Sequence, residues 1–113
     1  MNDERRHRRS NEPAHALSLL LDACRARASF DALVVSDEVG LLVAAASDPS
    51  IDVEEVAALL PAPERRRGLR HLRTCAFGVD GQMLYVGAIG GDQTRVAPEV
   101  QATLRGVRRI LAA

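Results

Sequence analysis

Few residues in this chain of 113 are of a kind and spacing to do chemistry. Two cysteines, Cys24 and Cys75, and three histidines, His7, His15 and His71, are scattered with no CxxC pair, so the clustered ligands of a zinc site are missing. Cys24 falls on an apolar helical stripe, where a thiol behaves as a small hydrophobe rather than a nucleophile. His71 and Cys75 share one strand at i and i+4, roughly 13 Å apart at about 3.3 Å per residue, and so form no dyad. The carboxylates gather as Asp37 and Glu38 in a turn and as Asp52, Glu54 and Glu55 in a helical first turn, where turn formation and capping account for them. No GxSxG, HExxH or Walker-type glycine loop occurs. The chain reads as non-enzymatic, with no metal, cofactor or nucleotide expected.

What remains that could make contacts is arginine and an apolar strand. Arg5, Arg6, Arg8 and Arg9 crowd a polar N-terminus, read as a disordered arm over residues 1–12. Without interleaved aromatics these arginines point to no nucleic acid. Arg65, Arg66, Arg67 and Arg70 form a second cluster in a connector. It is either a solvated loop or a surface for an acidic partner.

The elements that would position these groups follow from periodicity. Residues 31–47 hold two apolar runs, 32–35 and 41–46, around a break of Ser36, Asp37, Glu38, Val39 and Gly40, the pattern of a β-hairpin. Both runs are apolar on consecutive positions, which predicts cover on both faces. Ahead of them, residues 13–28 read as a helix, with Pro13 in its first turn and Leu17, Leu20, Leu21, Cys24 and Ala28 on one side. A short helix follows the hairpin, capped by Asp52 with Glu55 three residues on, stapled by Ile51 and Val56, and stopped by Pro61. A second hairpin over 72–89 turns at Asp80 and Gly81, and Gly87 in its return strand marks a close approach. The final helix opens near Pro98 and Glu99, buries Val100, Leu104, Val107 and Leu111, and carries Gly106, whose cost a close helix contact would offset. Antiparallel hairpins alternating with helices give an α+β fold, an antiparallel sheet sandwiched by helices.

Composition agrees with one domain, 13–113, behind the arm. Apolar residues make up 47% of the chain and aromatics only 3%, so the core is aliphatic and poorly suited to stacking a ligand. Basic and acidic residues balance at fifteen each, which selects no partner by bulk charge. No window approaches a membrane span, and two unpaired thiols without an export segment predict a cytoplasmic protein.

Together, the first helix, the unit Leu33-Val34-Val35-Ser36-Asp37-Glu38-Val39-Gly40-Leu41-Leu42-Val43-Ala44, the capped helix, the Asp80-Gly81 hairpin and the Arg-rich last helix resemble the roadblock family. This is the dynein-light-chain and bacterial gliding-regulator group of small domains, and the likeness covers residues 14–111. It implies a roadblock/profilin-like order α-β-β-α-(β)-β-β-α, whose optional strand would fall within 67–70 or be absent. It also implies a homodimer paired through the second strand, here Leu41, Leu42, Val43, Ala44, Ala45 and Ala46, and a role in regulating or scaffolding a small Ras-like GTPase or another signalling protein. An apolar edge strand fits that role, since a dimer consumes backbone groups that a monomer must cover. In such a dimer Arg65, Arg66 and Arg67 would flank the face of the second helices as the partner surface. The competing reading is a small-molecule sensory or adaptor subunit of a larger signalling complex.

Overall fold

The apolar run at 32–35 becomes the centre of the molecule. The computed structural model describes residues 2–68 and 71–112, excluding the side chains of 2–12 and 66–68. In order these form α1 (Asn2–Ala28), β1 (Phe30–Asp37), β2 (Leu42–Ser47), α2 (Val53–Leu59), a 3-10 helix (Pro63–Gly68), β3 (Leu72–Val79), β4 (Gln82–Gly90) and α3 (Val96–Leu111). The strands make one antiparallel sheet in the order β2-β1-β4-β3. Both hairpins and the second and third helices fall close to where periodicity puts them, the first helix extends ahead of its expected start, and the fold is the expected α+β sandwich.

β1 is buried on both faces because its two rows of side chains enter different cores. Leu33 and Val35 join Leu17, Leu21 and Cys24 of α1 and Val100, Leu104 and Val107 of α3. Ala32 and Val34 join Val56, Ala57 and Leu60 on the α2 side. One strand thus binds a two-helix layer to a one-helix layer. The expected cover on both faces holds for β1 and fails for the start of β2. Leu42 and Val43 are exposed there, because β2 is the edge strand and the helices above and below do not reach past it.

Local signals explain the boundaries. The Asp52 carboxylate accepts a hydrogen bond from the Glu55 N–H at 3.2 Å, satisfying one of the orphan donors at the start of α2. Asp80 and Gly81 both take positive φ, 50° and 80°, the signature of a two-residue type I′ turn. α1 is longer than its apolar stripe. It starts at Asn2, so Pro13 lies inside the helix instead of in its first turn. Among the described side chains the core begins at Leu17. Among the described residues no strand lies between the 3-10 helix and β3, so the optional strand is missing there. The 3-10 helix takes in residues 67 and 68, while 69 and 70 lie outside the described residues.

Two glycines are close-approach sites, as expected. A Cβ at Gly87 would sit 2.5 Å from Leu60 Cδ2, where the last buried leucine of the α2 side presses onto β4. A Cβ at Gly106 would sit 2.7 Å from Leu20 Cδ2, so this glycine lets α3 close on α1. Arg27 and Glu99 tie the same helix pair at 3.0 Å.

A buried polar atom on β1 breaks the pattern. Ser36 is fully buried, and its Oγ has no hydrogen-bond partner among the described residues. Ser36→Ala is therefore expected to stabilise the fold by about 1 kcal/mol, since a desolvated hydroxyl is removed without a bond being broken. Gly87→Val is expected to destabilise it by about 1–3 kcal/mol, because fully buried Leu60 must shift. Urea unfolding of both variants checks the opposite signs.

Candidate partner interface

Of the two sheet edges, β2 is the one whose side chains are apolar and out in solvent. Val39 and Leu41, in the β1–β2 turn, are 74% and 64% exposed, and Leu42 and Val43 are 37% and 36% exposed. Further along the strand, Ala44 and Ala46 pack toward the two-helix core and Ala45 toward the α2 core. The six residues singled out in the sequence thus lie together at an open edge, with β2 itself starting one residue later, at Leu42. The turn that presents them is braced by a side chain. Asp37 Oδ1 accepts from the N–H groups of Val39 and Leu41 at 3.0 and 2.9 Å.

The ladder fixes which backbone groups face outward. The Asp48 N–H donates to the Asp31 C=O at 2.9 Å. With the register Leu33↔Ala46 and Val35↔Ala44, alternation then directs the groups of Ala46 and Ala44 toward β1. Ala45 and Ser47 point theirs away from the sheet. The register shifts between Val35 and Ser36, a bulge that ends the regular part of the edge. Three alanines in a row leave no bulk to keep a second strand at a distance.

Arginines are placed less uniformly than the sequence suggested. Arg65 is exposed in the 3-10 helix that follows α2. The side chains of Arg66 and Arg67 lie outside the described residues. Arg25 and Arg27, both near the end of α1, diverge. Arg27 turns to Glu99 on α3. Arg25, two residues earlier and about 200° around the axis, turns to the other flank, over β2, where its charge acts on Asp48.

Charge is also segregated along the chain, a signal the sequence reading missed. Between Arg27 and Arg65 lie eight carboxylates, Asp31, Asp37, Glu38, Asp48, Asp52, Glu54, Glu55 and Glu64, and no basic residue. In the fold this stretch is β1, β2 and α2, so the open edge belongs to an acidic half. A groove of about 270 Å³ opens beside that edge, lined by Asp37, Val43, Val79, Asp80, Gln82, Leu84 and Leu111. Among the described residues no cluster of His, Cys, Asp and Glu could hold a metal, and no helix is long and apolar enough to cross a membrane.

No protein-family model matches the chain, and no curated protein sequence matches it. Solved structures do. An MglB with a tetrameric arrangement superposes with a TM-score of 0.67 at 10% identity, over 88% of this chain and 90% of that one. The gliding protein MglB from Thermus thermophilus gives 0.65 at 11% identity over 88% and 90%. Myxococcus xanthus MglB gives 0.60 at 13% identity over 85% and 87%. At such identities the likeness is one of fold, and it is the roadblock-type fold that the sequence resembles.

Loop carboxylates beside these elements give the protein an acid limit. The Ser50 N–H and hydroxyl, donating to Oδ1 at 2.9 and 2.8 Å, hold the Asp48 carboxyl below the usual carboxylate range. The Thr94 hydroxyl and N–H do the same for Asp92. A carboxyl depressed in the folded state stabilises above its unfolded pKa of about 4, and that stability is lost as pH falls through the folded value. Asp48→Asn with Asp92→Asn keeps the acceptors and removes the titration. The double variant is expected to lose part of the fall in Tm below about pH 4, measured by thermal melts across pH.

Proposed function

We propose that this chain is a non-enzymatic, dimeric interaction module that regulates or scaffolds a small Ras-like GTPase, acting in the cytoplasm. The observation that carries the reading is the open β2 edge, uncharged and alanine-rich, on a domain with the fold of MglB. A strand with outward-facing donors and acceptors and exposed apolar neighbours is a liability in a monomer. Paired antiparallel with its own copy, it becomes the middle of an eight-stranded sheet.

The ladder argues for one register. Ala45 and Ser47 offer outward groups, so a two-fold axis at Ala45 pairs Ala45 with itself and Ser47 with Val43 of the second copy. All three alanines then meet their counterparts across the seam. Both α2 helices lie on one face of the joint sheet, and α1 and α3 of both copies on the other. Residues 1–12 are read as an arm outside the domain. The run Arg65, Arg66, Arg67 follows α2 in each copy and supplies the docking charge for an acidic partner on that face.

Two experiments test the reading. Ala45→Cys is expected to form an intermolecular disulfide under mild oxidation, because directly opposed hydrogen-bonded residues have Cα atoms about 5.5 Å apart, within disulfide range. Val43→Pro is expected to yield a monomer by light scattering at tens of micromolar, since proline removes a strand donor. A monomeric native protein would refute the dimer. For the partner surface, Arg65→Ser, Arg66→Ser and Arg67→Ser together are expected to slow GTPase association and flatten its salt dependence while the dimer persists. Unchanged association kinetics would move the docking site elsewhere.

A further inference from the structure

Resting on the β2-paired dimer, we infer that Arg25 crosses the seam and seats in the groove of the other subunit, so that each groove is completed by the second copy. The groove has an apolar floor of Val43, Val79, Leu84 and Leu111 and an acidic rim of Asp37 and Asp80. It opens at the edge itself, because Val43 belongs both to the groove and to β2. The carbonyl end of α3, at Leu111, adds partial negative charge to its wall. An apolar slot with an anionic rim suits a long side chain with an aliphatic stem and a cationic head. Arg108 of that last turn is directed elsewhere, over the Phe77 ring at 5.8 Å from its centroid.

Arg25 is the group the symmetry delivers. A two-fold axis at Ala45 sets residues after Ala45 in one copy against residues before it in the other. The Ser47 and Asp48 end of β2, over which Arg25 lies, therefore meets the Leu42 and Val43 end of the partner strand. The axis is perpendicular to the sheet, so both copies keep α1 and α3 on one face, the face of Arg25 and of the groove. Two strand spacings, about 10 Å, separate β2 from the second copy's β1, where Asp37 stands. Arg25 is also only partly satisfied within its own chain. It is half-buried, and its Nε is buried with no hydrogen-bond partner among the described residues. Asp37 of the rim, by contrast, lies in the stretch that carries eight carboxylates and no base, so pairing two such halves favours a cation brought from the α1 layer.

Analytical ultracentrifugation of Arg25→Gln and Asp37→Asn tests the contact. Asp37→Asn keeps the Oδ1 acceptor that the Val39 and Leu41 N–H groups use, so the turn is preserved while the charge is lost. Each variant is expected to raise the dimer Kd about tenfold, and the double variant is expected to be no weaker than the weaker single one. Ala45→Cys cross-linking, carried in each background, reports whether the strands still pair. If cross-linking persists and either single variant leaves Kd within twofold, or the two effects multiply, the Arg25 contact is wrong and the strand-paired dimer stands. If native protein is monomeric and Ala45→Cys does not cross-link, the dimer fails and this contact with it.

Discussion

Burial of β1 on both faces is the constraint on which the rest of the structure depends. Its side chains are shared between the two cores, with Ala32 to Ser36 fully buried, and its backbone groups are divided between β2 and β4. A strand in that position must be apolar at successive residues and must have a strand on each side. β4 is itself paired on its far side by β3, whereas β2 has no neighbour beyond β1 among the described residues. The open edge is thus a consequence of where β1 sits, since a four-stranded open sheet with β1 inside leaves β2 outermost.

The two layers that hold β1 differ in size, and the difference shapes the surface. α1 and α3 are long enough to span the sheet, while α2 has seven residues and is about 10 Å long. It packs on β1 and β2, and the core on its side extends to β4 at Tyr85, Ile89 and Gly87, where Leu60 presses closest. Helix and edge strand are therefore one structural unit, contiguous in sequence and without a basic residue. A seam along β2 alone would be about 20 Å long, and three layers of about 10 Å each give a cut face of about 600 Å². A standard interface takes about 800 Å² per partner. Residues flanking the strand, from the β1–β2 turn and from α1, have to take part for a β2-paired dimer to be stable.

Much of this was legible in the sequence because the signals were local. Asp80 and Gly81 specify their turn through positive φ, Asp52 specifies the start of α2 through its carboxylate, and the spacing of Leu17, Leu21, Cys24 and Ala28 specifies the buried side of α1. Gly87 and Gly106 announced close contacts, though not that Leu60 and Leu20 would be the neighbours. What could not be read depended on order in space. Two apolar runs of equal character became one interior strand and one edge strand, and only the pairing of β1 with β4, residues about fifty apart, distinguishes them. The length of α1 ahead of its apolar stripe was hidden because Pro13 reads as a start signal. Arg25 and Arg27 looked alike as last-turn cations, yet about 200° of helix sends one to α3 and the other to the edge. The run of carboxylates without a base was visible in the sequence as a count, but it acquires meaning only when β1, β2 and α2 prove to be neighbours.

That charge distribution bears on how an uncharged edge can be selective. β2 carries no side-chain charge, so the strand itself would accept any extended segment that offered complementary backbone groups. Discrimination has to come from what stands beside it. The carboxylates of the turn and of α2 repel acidic approaches over roughly a Debye length, about 10 Å at 0.1 M salt, and they would repel a second copy as well. In the proposed dimer two features would offset that for a second copy: alanines that allow close pairing along the whole strand, and an arginine on the α1 flank that the two-fold axis would bring to the opposing acidic rim. A foreign strand meets the repulsion and lacks the arginine in the required place. Specificity at this edge is then a difference between one geometry in which the charges alternate across the seam and many in which like charges face each other.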